Sequence, residues 1–133
     1  MKNWKHKEQW QKRDSNFLVE ISRHEVEKSD MFPNDGIYRW CIYAYIYPTH
    51  PLFKNIHNED IHQESVSKMP LHSGASLVRN HHDSDGEVTS IQVGAGYNHL
   101  HDEQFTLIYE VEDAATIFDD AERLFEWLKN YKD

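Results

Sequence analysis

The chain has 133 residues, enough for one domain around a single core and too few for two ordinary ones. With 38% hydrophobic and 13% aromatic residues it can bury a core, which excludes wholesale disorder. Fourteen basic residues against 23 acidic ones give a net charge of −9, which disfavours a nucleic-acid polymer or an anionic membrane surface as partner.

The charge is unevenly placed. Residues 1–14 form a basic, aromatic N-terminal segment, with Lys2, Lys5, Lys7, Lys12 and Arg13 against Glu8 and Asp14, and with Trp4 and Trp10 between them. No apolar run there is long enough for a signal peptide, and no stretch of about 18 apolar residues occurs to span a bilayer. Cys41 is the single cysteine, so an intramolecular disulfide is excluded and a reducing cytoplasm is the expected compartment.

Phe17 to His24 alternates Phe17, Val19 and Ile21 with Leu18, Glu20 and Ser22, the period of a half-buried strand. Pro33 and Asn34-Asp35-Gly36 then mark a loop that leads into Tyr38 to Tyr47, ten β-prone residues ended by Pro48. Period two sets Tyr38, Trp40, Ile42, Ala44 and Ile46 on one face of that strand. Arg39, Cys41, Tyr43, Tyr45 and Tyr47 stand on the other.

Asn58 is placed to cap a short helix from Glu59 to Met69. A hairpin follows, with residues 74–81 and 87–95 as arms and Asp83-Ser84-Asp85-Gly86 as the turn, and residues 104–109 continue the alternation as a further strand. Ala114, Ile117, Phe118, Ala121, Leu124, Phe125 and Leu128 recur at three- and four-residue spacing, so 113–131 is an amphipathic C-terminal helix with Asp113 as its expected cap. The order of elements implies an α+β fold over 1–133: a single antiparallel sheet of about five strands with two helices on one face.

The densest chemistry lies in Gly96 to Thr106, where His99 and His101 flank one residue and precede Asp102 and Glu103. In an extended segment both imidazoles share a face and reach one divalent metal ion, with Asp102 and His81 as further ligands. Two histidines do not make a site, and the plainer expectation is that they order a tight connection through hydrogen bonds to the backbone. The chain lacks the glycine-rich phosphate loop, the G-x-S-x-G elbow, the H-E-x-x-H pair and the C-x-x-C pair, and Asp83 to Gly86 lacks the rest of a calcium loop. A binding protein without a cofactor is therefore expected over an enzyme.

Around Tyr38 to Pro51 and Gly96 to Thr106 the chain resembles small uncharacterised proteins encoded by bacteriophages, a resemblance that covers about half of it. The resemblance brings no catalytic residues. It implies a compact acidic protein in the host cytoplasm that blocks a host or defence factor, or that captures a signalling nucleotide. From the residues themselves the tyrosine-bearing sheet face, Tyr43, Tyr45 and Tyr47 with Arg39, is the expected contact with a protein partner, and that face or the aromatic N-terminal segment is the expected contact with further copies of the chain. The alternative is a small metal-dependent hydrolase or nucleotide-binding protein centred on His99, His101 and Asp102.

Overall fold

A computed structural model of the chain describes residues 7–28, 30–99 and 101–133; Lys2, Trp4 and Lys5 of the basic arm lie outside them. Five strands, β1 (Lys7–Arg13), β2 (Phe17–Glu25), β3 (Tyr38–Ile46), β4 (Leu77–His82) and β5 (Val88–Gly96), make one open antiparallel sheet in the order β1-β2-β3-β5-β4. With α1 (Glu64–Ser67), α2 (Glu103–Thr106) and α3 (Ala115–Lys129) the fold is α+β. Among the described residues, no helix is long and apolar enough to cross a membrane.

Register explains the core. β2 and β3 pair Phe17 with Ile46, Val19 with Ala44 and Ile21 with Ile42, and β5 adds Ile91, Val93 and Ala95 in the same rows. These residues form one apolar face, closed by Ile117, Leu124, Phe125 and Leu128 of α3, by Val66 of α1 and by Met69 just after it. Each Val, Leu, Ile, Phe or Met side chain among them, fully buried, contributes about 1.5–3 kcal/mol relative to exposure. His50 completes the seal: its Nδ1 accepts from the Leu52 N–H at 3.0 Å, so its Nε2–H donates to the Leu128 carbonyl at 2.8 Å, at the end of α3.

Three elements differ from the sequence-based expectation. The fifth strand is β1, not residues 104–109. β1 reads KEQWQKR and shows no apolar alternation, because an edge strand needs only Trp10 inward, stacked on Trp40 at 5.6 Å. Residues 102–109 instead bury Asp102 and Thr106 and half-bury Phe105 and Ile108, a helical spacing. The segment is held there because the Gly36 N–H donates to Thr106 Oγ1 at 2.7 Å and the Trp40 indole N–H to the Ile108 carbonyl at 3.0 Å.

The helix expected over Glu59 to Met69 shrinks to α1, with Asn58 in the left-handed region at φ 60° and Gln63 as the N-cap residue. The Asp113 cap is likewise displaced: Ala114 takes the N-cap position of α3 and Asp113 ends a short 3-10 turn. The basic strand β1 meets the acidic α3 through Lys12 and Glu122 at 2.6 Å.

Candidate functional site

Two groups of residues stand apart from the work of holding the fold. The first lies where the turn after α1 meets the segment that leaves β5. Gly74 N–H closes that turn on the Leu71 carbonyl at 3.0 Å and so presents His72, whose ring stacks on Tyr97 at 4.3 Å and 15° and meets the edge of Phe105 at 5.5 Å. Tyr97 is fixed in turn, 1% exposed, its hydroxyl donating to Asp120 of α3 at 2.5 Å. Burial first, and then the bond to Asp120, push the Tyr97 hydroxyl well above the ordinary tyrosine range.

From the other side the chain turns sharply at His101, which sits in the left-handed region at φ 72°. That turn brings Asp102 back beneath His99. The Asp102 N–H donates to the His99 carbonyl at 3.0 Å, and the His99 N–H donates to Asp102 Oδ2 at 3.0 Å. His72 Nε2 lies 2.9 Å from each Asp102 oxygen, and His99 Nδ1 lies 3.3 Å from Oδ2. Burial works to raise the Asp102 carboxyl, but the hydrogen bonds from His72 and the His99 backbone outweigh it and hold the group below its ordinary value.

The structure therefore brings together His99 and Asp102 of the expected set and adds His72, thirty residues upstream of Asp102. It turns His101 out into solvent. His81 is on β4, where its Nε2–H donates to Gln92 Oε1 at 2.7 Å and its ring lies 6.0 Å from Tyr45. No sequence signal joins His72 to the H-x-H stretch, because the contact depends on how two loops cross the end of the sheet.

The second group is the face of the sheet opposite α3. Register sets Glu20 opposite Tyr43 and Gln11, Ser22 opposite Cys41 and Gln9, and Tyr45 opposite Leu18 and Gln92. Tyr43, Tyr45 and Tyr47 are half-buried. Tyr43 and Tyr45 lie 6.5 Å apart. Burial, followed by the neighbouring Cys41 thiol, pushes the Tyr43 hydroxyl up, and burial with the nearby Glu20 charge raises Tyr45.

Glu20 is only 3% exposed; its Oε1 accepts from the side-chain amides of Gln9 at 3.0 Å and Gln11 at 2.8 Å. Its Oε2 and the Ser22 hydroxyl are buried and have no hydrogen-bond partner among the described residues. Arg39 begins this face but bends away from it. Its guanidinium donates to the Gly36 and Tyr38 carbonyls at 2.9 and 3.0 Å and lines, with His99, Asp35 and Glu103, a cleft of about 370 Å³. Comparison of the chain with protein-family models, curated proteins and solved structures finds no match.

Proposed function

We propose that this chain is a non-enzymatic binding protein that occupies the surface of a partner protein with the tyrosine-bearing face of its sheet, and that copies of it associate through the same face. The observation that carries the reading is the pair of buried acceptors, Glu20 Oε2 and the Ser22 oxygen, left unmatched beneath half-buried tyrosines. An unmet buried polar atom costs about 1–3 kcal/mol, and a donor arriving from a partner recovers that cost. The exposed Gln9 and Gln11 side chains are the movable cover over Glu20.

The chemistry of the partner follows from the same atoms. A carboxylate among tyrosine rings suits a surface that presents N–H donors, and the net charge of −9 favours a basic one. The resemblance to bacteriophage proteins supplies the biological form of the reading: an inhibitor that covers a host or defence factor in the host cytoplasm. Tyrosine is a frequent anchor in such contacts because its ring buries area while its hydroxyl keeps a partner.

Sedimentation of wild type and of the Tyr43→Ser/Tyr45→Ser variant over a range of concentrations tests the proposal. Wild type is expected to associate, and the variant to remain folded and sediment as a monomer. A variant that unfolds would place these tyrosines in the core, and a wild-type chain that stays monomeric throughout would remove self-association.

A further inference from the structure

We propose that His72, His99 and Asp102 bind one divalent transition-metal ion of the zinc class, at a site separate from the tyrosine face. Two imidazoles and a carboxylate form a donor set suited to zinc, and three protein ligands leave a fourth position free. A tetrahedral ion with bonds of about 2.0–2.1 Å needs its ligand atoms about 3.3 Å apart. Here the His99 Nδ1 to Asp102 Oδ2 separation is 3.3 Å, the His72 Nε2 to Asp102 separations are 2.9 Å, and all three ligand atoms lie within 4.8 Å of one another. The two spacings to Asp102 therefore lie within a few tenths of an ångström of what an ion needs, and the His72 to His99 spacing, no more than 4.8 Å, closes on binding by up to about 1.5 Å.

The surroundings hold the ligands in that geometry. His72 is fixed by its stack on Tyr97 and by the edge of Phe105, Tyr97 by Asp120, and Asp102 by the His99 N–H. Such outer contacts orient metal ligands and are costly to lose. The His99 side chain is 38% exposed and borders the cleft lined by Arg39, which gives an ion a way in. By contrast, the Asp102 side chain is 8% exposed, so the charge that draws the ion is kept from bulk water. The nitrogen that takes the ion must present its lone pair, so in the bound form the single N–H of a neutral His72 sits on Nδ1, turned away from the carboxylate.

The competing account is a purely hydrogen-bonded His72–Asp102–His99 cluster that needs no ion. The two are distinguished on full-length protein made without a polyhistidine tag, stripped with chelator and titrated with Zn²⁺ by calorimetry, then with Co²⁺ by visible absorption. The expected result is one saturable ion per chain and a cobalt spectrum of low coordination number. His72→Gln and His99→Gln should each weaken binding by about 10-fold or more, while His101→Gln leaves it unchanged. Because the His99 side chain opens on the cleft and lies outside the core, its variant keeps the test valid even if His72→Gln misfolds. No saturable site, or a site indifferent to His99→Gln, would overturn the proposal and leave only adventitious binding to surface histidines. None of these outcomes bears on association through Tyr43 and Tyr45.

Discussion

Replacing Gly94 with alanine should destabilise the protein through one contact, the ring of Tyr43. Gly94 is the cross-strand partner of Tyr43 on β5, and the ring lies over its bare backbone. A Cβ added there would stand 2.6 Å from Tyr43 Cε1, closer still to Cδ1, and 3.2 Å from the Ile42 carbonyl oxygen. Carbon atoms in contact sit about 3.5–4.0 Å apart, so the ring must give way by about 1 Å. Overpacking of this kind costs about 1–3 kcal/mol, from which about 0.5–1 kcal/mol is recovered because alanine loses less backbone freedom than glycine. The net expectation is a loss of about 1–2 kcal/mol in wild type. In a Tyr43→Ala background the ring is gone, and the same change should become neutral or stabilise by up to about 1 kcal/mol. Urea denaturation of the four proteins measures the cycle, with a midpoint shift in Gly94→Ala of about 0.5–1 M. If Gly94→Ala costs the same with and without the tyrosine ring, Tyr43 does not lie across β5 and the description of the outer face is wrong.

Leu124→Ala and Phe118→Ala should each destabilise by about 2–5 kcal/mol, with Leu124→Ala at the upper end because Leu124 is 0% exposed whereas Phe118 is half-buried against Trp10 and Trp40. Thermal denaturation checks both, and unchanged melting temperatures would mean that α3 is not packed on the sheet. Tyr43 has a hydroxyl held protonated beyond the ordinary range, so the folded chain keeps a proton that the unfolded chain loses. Its contribution to stability is full below about pH 10 and declines as pH rises above that value. Tyr43→Phe should flatten this alkaline decline in denaturation curves, and a titration of phenolate absorbance should lose one of its late components, the one from the still more buried Tyr97 remaining.

The parts of the fold legible in the sequence are those in which one residue's pattern suffices. Phe17, Val19 and Ile21, or Ile117, Leu124 and Leu128, announce their faces because burial on one side leaves a period, and the structure places them in the core. β1 is silent because its inward side needs only Trp10, while Gln9 and Gln11 serve the Glu20 carboxylate across the strand. Residues 104–109 mislead because Phe105, Leu107 and Tyr109 alternate by type, yet Leu107 and Tyr109 are exposed and the segment is fixed by bonds to Gly36 and Trp40. At the histidine segment, the sequence separates His99 and Asp102 from His72 by more than twenty residues, and only the crossing of two loops brings them into contact. That proximity is tertiary, so no local spacing records it.

The strand order also divides the molecule in time. β4 and β5 form a hairpin bonded to the rest of the sheet along one line, the six residue pairs from Cys41↔Gly96 to Ile46↔Ile91. α3 packs against β2 and β3. The meander β1–β2–β3 with its helix and the β4–β5 hairpin thus share one border of strand pairing, backed by the common apolar core. Amide protons of the hairpin should exchange through an opening that separates this border while the meander stays closed, at a free energy below that of global unfolding. Gly94 lies on that border and Tyr97 just beyond it, so the hairpin's fluctuations reach both the tyrosine face and the His72 stack. A ligand at either place would slow the exchange of β4 and β5 before it slowed that of β2.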